Sequence, residues 1–360
     1  MSWQMSNRYR EDVTAAIINY GSSDDTAALI ASLLPDVASI IVVDNSGDLP
    51  DDERFSSATI IRPRHNLGFG AATNRAAAQA STRWLLILNP DVRLTEGSLE
   101  QLVAASRELH APLCGPRFYW DEDCTLQLPP ALGHPLWLLS DRNLPHNSIS
   151  AEPDITQLAM ARHERFWKEQ GTFTEPVLSG ACLLVDNTWF RENRTAIFDE
   201  AFFLYYEDTD LCGRLMRKGI MPVCVADASA VHFWNQSSEP PEGKAVLMKA
   251  SEKIFLDRYY PNGAPPLPLS KNTPAFTDLG SMLESPVLDV PSGCLKIDLG
   301  VQEDFIVFVR AWNPGPTFKF NTPMWQRIRP GTYYMRAVDA QGNARAHWRW
   351  MKPEQPENQA

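Results

Sequence analysis

Three acidic positions and one histidine in this sequence combine residue type and setting in ways that could do chemistry. Asp44 follows the predicted buried strand 39–43 in Val43-Asp44-Asn45-Ser46. A carboxylate there can grip a ligand, or it can close an Asx-turn or cap a helix. Asp91 sits in Leu88-Asn89-Pro90-Asp91-Val92, just past the run 84–88, which is apolar at every position. A buried strand that ends in a carboxylate invites a positive partner. Mg²⁺ or Mn²⁺ bridging diphosphate oxygens would serve, because carboxylate and water ligands suit these ions. The plainer alternative is a turn residue that opens the next helix. Glu207, Asp208 and Asp210 stand at a predicted helix start, where negative charge meets the positive end of the dipole. The aromatic run Phe202-Phe203-Leu204-Tyr205-Tyr206 precedes them, and apolar surroundings raise a carboxylate pKa in the way a general base requires. His232 ends a short predicted strand before Phe233-Trp234, a setting as fit for a structural histidine as for a ligand.

The elements that must position these groups alternate in type. Strands are predicted at 13–18, 39–43, 59–61 and 84–88, and helices at 24–34, 67–80 and 96–109. Such alternation means a sheet that is parallel in this part, and ligands of such sheets bind beyond the carboxyl ends of the strands. Asn19, Asp44, Asn66 and Asp91 each lie just past a strand end. The stretch 112–175 has weak periodicity and reads as loops and short helices. Further on, a strand is expected at 177–185, a helix at 207–218, two short strands at 222–226 and 229–232, and a long helix at 244–260. The Pro-rich stretch that begins at 261 reads as a linker. Beyond it, short alternating runs at 287–290, 294–299, 305–311, 325–328, 332–338 and 345–351 suggest a small antiparallel β-sandwich.

Taken in order, the blocks are Asn19-Tyr20, Asp44-Asn45-Ser46, Asn66-x-Gly68-x-Gly70-x-x-x-Asn74, Asn89-Pro90-Asp91, Ser179-Gly180-Ala181, Phe198-Asp199-Glu200 through Asp210-Leu211, and Val231-His232. This order resembles family 2 glycosyltransferases, most closely the rhamnosyltransferase-like branch that builds bacterial polysaccharides, over about residues 12 to 260. The resemblance implies an α/β fold of the GT-A type, a Rossmann-like mixed sheet with flanking helices. It also implies inverting transfer from a nucleotide-diphosphate sugar. Asn89-Pro90-Asp91 takes the place of the family's Asp-x-Asp motif, with Asp91 as metal ligand and Asn89 departing from the usual first acid. His232 matches a histidine that completes the metal site, and Asp208 matches the catalytic base, with Glu207 as its rival. Asp44 matches the residue that contacts the nucleotide, and Asn19, Tyr20, Asn66, Gly68 and Asn89 complete the expected nucleotide-sugar site.

The expected organisation is therefore a GT-A domain at 12–260, a linker at 261–280, and a small all-β, sandwich-like domain of unassigned role at 281–353. The net charge of −11 argues against a general binder of nucleic acid or anionic membranes. The apolar runs, about five residues long, fall far short of the ~20 that cross a bilayer. Six scattered cysteines read as reduced thiols. These features suggest a cytoplasmic enzyme that works at the inner face of the membrane if its acceptor is lipid-linked, and a homo-oligomer is compatible with them. The implied partners are a dTDP- or UDP-linked donor, with rhamnose as the sugar to test first, and a glycan or glycolipid acceptor. Two other readings stay open here. A sugar nucleotidyltransferase would ordinarily carry a Gly- and Lys/Arg-rich phosphate loop after the first strand, which Asn19-Tyr20-Gly21-Ser22-Ser23-Asp24 is not. A catalytically inactive nucleotide-sugar or glycan binder would use Trp312, Trp325, Trp348 and Trp350 as a carbohydrate platform, if they are exposed rather than core.

Overall fold

A computed structural model describes residues 10–140, 155–233, 241–268 and 274–354. The chain divides into two compact units. One is drawn from the chain up to Phe118 together with Phe166–Pro266, the other from Tyr119–Arg165 together with Leu267 onward.

The first unit is built on β1 (Val13–Asn19), β2 (Ser39–Asp44), β3 (Thr59–Ile61) and β4 (Trp84–Leu88), which lie parallel in the order β3-β2-β1-β4. The strand Cys182–Asp186 then adds antiparallel to β4, with β6 (Leu113–Tyr119) antiparallel on its far side; β5 (Val92–Leu94) lies off this order and joins the sheet through Val223–His232, which also pairs with β6. Every residue of β1, β4 and Cys182–Asp186 is buried, as expected of strands covered on both faces. The helices α1 (Ser23–Leu33), α2 (Phe69–Gln79) and α3 (Ser98–Leu109) follow the expected alternation, with α1 and α2 packed on β1. This is the mixed α/β sheet with flanking helices that the GT-A expectation requires. Val223–His232 is one strand rather than two; its ends pair with Thr172–Thr174 and with β5. The strand expected at 177–185 starts only at Cys182, because the Ser179 hydroxyl accepts from the Ala181 amide and its carbonyl from Cys182, closing a turn.

The second unit departs further from expectation. Its sheet runs Leu126–Gln127, Phe308–Trp312, Cys294–Gly300, Gly331–Asp339, Ala344–Lys352, Thr277–Ser281, antiparallel except for the last, parallel pair. The break expected at 261–280 is thus only part of the boundary. Residues 119–165 group with the carboxyl-terminal chain, and 277–280 are edge strand rather than linker, while 269–273 lie outside the described residues. Nor is the unit all-β. Thr322–Arg327 is a helix where a strand was expected, because the Asn321 side chain accepts from the Met324 amide at 2.8 Å and Pro323 suits a first helical turn. Beside the main sheet, the only further strands among the described residues of this unit form a two-stranded ribbon, Leu288–Asp289 with Thr317–Phe318.

One face of this sheet is apolar. Trp325, Trp348 and Trp350 are buried, with Trp350 stacked on Tyr333 at 4.6 Å between ring centres, so three of the four carboxyl-terminal tryptophans are core. Residues of the opposite alternation carry charge. Asp298 lies across from Arg310 on one neighbouring strand and Arg336 on the other. It is fully buried and takes Arg310 Nε at 2.7 Å, Arg310 Nη2 at 2.9 Å and Arg336 Nε at 2.9 Å. Burial alone would raise its pKa, but the two guanidinium groups outweigh that and hold it at about 2. Among the described residues no helix is long and apolar enough to cross a membrane.

Candidate active site

The chain ends of β1 and β2 meet through Asn19, which is fully buried. Its Nδ2 donates to Asp44 Oδ1 at 3.0 Å, Asp48 Oδ1 at 2.7 Å and Ser46 Oγ at 3.2 Å. Its Oδ1 accepts from the Ser22 amide at 3.3 Å and Thr26 Oγ1 at 3.0 Å. Asp44 is also buried, and it accepts from the Gly47 and Leu49 amides at 3.0 and 3.2 Å. Both residues therefore shape the loops after their strands, as the turn-forming alternative for Asp44 anticipated. Tyr20, next along, is exposed.

A second set of contacts ties the Asn66–Asn74 block to the segment that carries the acids. Asn45 donates from Nδ2 to the Gly68 carbonyl at 3.0 Å and accepts from the Leu67 amide, while Asn66 Oδ1 accepts from the Gly68 amide. Gly68 has φ +80°, and a Cβ added there would lie 2.3 Å from the Phe203 carbonyl oxygen, so only glycine allows this approach. The Phe69 amide donates to that same carbonyl at 2.9 Å. Asn74 binds both backbone groups of Phe198, accepting from its amide at 3.1 Å and donating to its carbonyl at 2.8 Å.

The acids themselves open the helix Glu207–Arg217. Tyr205 and Tyr206, just before it, both hold left-handed backbone, with φ of 68° and 66°. Two such residues in succession carry strain and persist only where their surroundings fix them. Asp210 supplies one fixing point: fully buried, it takes Arg214 Nε at 2.7 Å, Arg258 Nη1 at 2.6 Å and the Tyr259 hydroxyl at 3.1 Å. Of the three acids it is the structural one.

Asp208 is half-buried. Its Oδ2 accepts from the Gly180 amide at 2.9 Å and its Oδ1 from the Thr209 amide and hydroxyl at 2.6 and 3.1 Å. Burial raises its pKa against the pull of these donors. Glu207 is more deeply buried, its Oε2 has no hydrogen-bond partner, and burial plus the neighbouring Asp208 push its pKa up to about 8.

The turn 179–181 links these acids to the other motif. The Gly180 amide reaches Asp208, while the Ala181 carbonyl accepts from the Asn89 amide at 2.9 Å. Two residues on, Asp91 Oδ2 stands 3.5 Å from His232 Nε2. Antiparallel pairing of His232 with Val92 brings them together, and the Phe233 amide donates to the Asp91 carbonyl at 3.2 Å. Burial lowers the His232 pKa, partly offset by Asp91, and so favours the neutral imidazole. Arg93 braces the motif from behind by donating to the carbonyls of Pro90 and Val92 at 2.6 and 2.7 Å.

All ten expected site residues thus fall in the first unit, at strand ends, in the loop that leads into α2, or at the start of the helix Glu207–Arg217. Sequence reasoning left out Asn45 as a clamp, the role of Phe203, and the Arg258–Asp210 anchor. Adjacency to Asp44 was an available signal for Asn45. The other two depend on partners more than forty positions away.

Residues 4–168 match the profile of glycosyl transferase family 2, a span that holds Asn19 through Asp91 but not Glu207, Asp208 or His232. An N-acetylglucosaminyl-diphospho-decaprenol L-rhamnosyltransferase of Mycobacterium tuberculosis is 29% identical over 226 residues, 58% of this chain and 69% of that one. The low-salt glycan biosynthesis hexosyltransferase Agl10 of Haloferax volcanii is 23% identical over 253 residues, 69% of this chain and 73% of that one. Among solved structures, GalNAc-T7 with UDP, GalNAc and Mn²⁺ overlaps 70% of this chain and about half (52%) of its own, at 14% identity and a TM-score of 0.47. With a family 2 match confined to residues 4–168 and these relatives, the chain is a glycosyltransferase that is similar to family 2 members and to rhamnosyltransferases.

Proposed function

We propose that this enzyme moves a sugar, with inversion, from a nucleotide-diphosphate donor to a hydroxyl of a bacterial cell-surface glycan or its lipid-linked precursor. The name of the mycobacterial relative supports rhamnose as the sugar and a polyprenyl-diphosphate-linked acceptor, and a dTDP- or UDP-linked donor is the class to test. The observation that carries the reading is the turn 179–181, which holds Asn89 by one backbone group and Asp208 by another. Through it, a metal-binding motif and a general base from distant parts of the chain share one site.

Asp91 and His232 fit a divalent cation, Mg²⁺ or Mn²⁺. They offer a carboxylate oxygen and an imidazole nitrogen 3.5 Å apart, and burial favours the neutral ring. Among the described residues no third His, Cys, Asp or Glu completes a metal-binding cluster, so diphosphate oxygens and water would fill the remaining positions. Such an ion, when bound, supplies Lewis-acid stabilisation of the departing diphosphate. Asn89 contributes an amide beside it in place of a second carboxylate. Tyr20, Asp44, Asn66 and Gly68 receive the donor, with Asn19 setting the loops that carry Tyr20 and Asp44 and with Asn45 holding Gly68.

Asp208 takes the acceptor proton. It is the more accessible of the paired acids, its position is set by the Gly180 amide, and burial raises its basicity. Glu207 stays protonated near neutral pH and spares Asp208 a second adjacent negative charge.

Thermal shift against UDP, dTDP and GDP, each with and without Mn²⁺, tests the reading. Mn²⁺-dependent stabilisation by at least one nucleotide is expected, and Asp91→Ala should abolish it. Full Mn²⁺-dependent stabilisation of the Asp91→Ala protein would remove the metal site from Asp91.

A further inference from the structure

We propose that Asn74 is a positioning residue that sets the placement of Glu207 and Asp208 from the opposite side of the unit's sequence, by clamping both backbone groups of Phe198. The inference rests on the reading of those acids given above.

Asn74 lies within α2, half-buried, 124 residues from its partner. One side-chain amide there does what a neighbouring strand would do. Its oxygen takes the Phe198 N–H and its nitrogen reaches the Phe198 C=O, with a further contact from that nitrogen to Glu200 Oε1 at 3.2 Å. Phe198 belongs to no helix or strand and is fully buried, so its backbone has no ladder to satisfy it. Close packing completes the clamp: a Cβ on Gly70 would sit 3.0 Å from the Phe198 Cβ, and the Phe69 and Phe198 rings lie 5.7 Å apart.

The segment from Phe198 to Asp208 needs such fixing, because it ends in the two left-handed tyrosines. Its far side is held by Arg258, which reaches Asp199 at 2.8 Å and Asp210 at 2.6 Å, and by Ser251, whose hydroxyl donates to the Leu204 carbonyl at 2.7 Å. On the near side stand the Phe69 amide on the Phe203 carbonyl and Asn74 on Phe198. Without Asn74 the near side keeps one hydrogen-bonded anchor, and the tyrosines can relax towards ordinary backbone. Displacement of the acids by about 1 Å costs up to ~10²-fold in rate without any loss of donor contacts.

The test compares wild type, Asn74→Ala, Asn74→Asp, Asp208→Asn and Arg83→Ala in the full chain. Arg83→Ala serves as a matched destabiliser, since it breaks an ion pair with Asp186 outside the site. Three quantities are read: backbone hydrogen exchange over 198–208, release of nucleoside diphosphate from UDP- and dTDP-sugars, and affinity for UDP and dTDP with Mn²⁺. For Asn74→Ala, exchange over 198–208 should rise at least about tenfold and kcat should fall ~10–100-fold, with nucleotide affinity kept within about twofold. Asn74→Asp, which can still accept from the Phe198 amide but sets a carboxylate oxygen against the Phe198 carbonyl and Glu200, should raise exchange at least as much as Asn74→Ala. Arg83→Ala should lower Tm without raising exchange over 198–208. Unchanged exchange in Asn74→Ala overturns the proposal, as does raised exchange with unchanged kcat while Asp208→Asn is inactive. If Asp208→Asn turns over normally, the reading of the acids is what fails, and the exchange data still decide whether Asn74 holds the segment.

Discussion

Asp298 in the second unit and Glu207 in the first are both carboxylates withdrawn from water, and their surroundings push them in opposite directions. Asp298 is met by two guanidinium groups and stays ionised down to about pH 2, whereas Glu207 has an acid for a neighbour and holds its proton up to about pH 8. Asp210, three residues from Glu207, belongs with Asp298: buried, paired with Arg214 and Arg258, and committed to structure. Burial by itself therefore says little about role. Counter-charge decides it. A carboxylate matched by arginines is spent on holding elements together, while one left short of positive charge keeps the capacity to exchange a proton.

The comparison breaks most visibly at Asp208. Asp208→Asn preserves shape and can still accept from the Gly180 amide, but it cannot take a proton. Turnover should fall by ~10²–10⁴-fold with little change in nucleotide affinity. Near-normal turnover in this variant, with Glu207→Gln inactive, would exchange the roles of the two neighbours.

On the structural side of the comparison, Asp298→Asn should leave activity chemistry untouched and damage stability. It leaves Arg336 buried without its counter-ion and Arg310 with Glu164 alone at 3.4 Å, a loss of roughly 3–5 kcal/mol. The pH dependence follows from the depressed pKa. Asp298 contributes its stabilisation fully above the ordinary carboxylate value of 3.8 and loses it as pH falls towards about 2. Chemical denaturation between about pH 7 and pH 2 should show the wild type converging on the variant at the acid end. An Asp298→Asn protein as stable as wild type at neutral pH would mean that the two arginines find other partners.

Much of the first unit was legible in the sequence, because parallel strands covered on both faces are apolar without interruption and end in turn residues. β4 and Asp91 are the clearest case. The pairing of Asp91 with His232 was legible only through the order of motifs, since it depends on an antiparallel register between β5 and Val223–His232. The tyrosine conformations before Glu207 leave no trace in residue type, because tyrosine is an uncommon choice for positive φ. In the second unit, the alternation that marks the strands places charged residues on one face, and there Lys296, Asp298, Arg310 and Arg336 are buried. Alternation identifies the two faces of a strand but not whether the polar face is covered. The helix Thr322–Arg327 was obscured in the same way: its cap, Asn321, and Pro323 are also turn signals, and the apolar residues after them suit either element.

The smallest effect separates the two kinds of acid by sign. Glu207 has an ordinary pKa of 4.5 when unfolded and about 8 in the folded protein, so across that interval the native state keeps a proton that the unfolded chain has lost. Stability then falls as pH rises from 4.5 to about 8 and is flat on either side, the reverse of the Asp298 contribution. Glu207→Gln keeps the shape and cannot ionise. It should match wild type near pH 4 and become the more stable protein as pH approaches 8, by on the order of a few kcal/mol. Tm measured for both proteins at half-unit steps of pH reads this directly. A constant offset across the range, or a variant that loses ground as pH rises, would mean that Glu207 is ionised in the native protein. The division between acids matched by arginine and acids left without would then not run between Glu207 and Asp210.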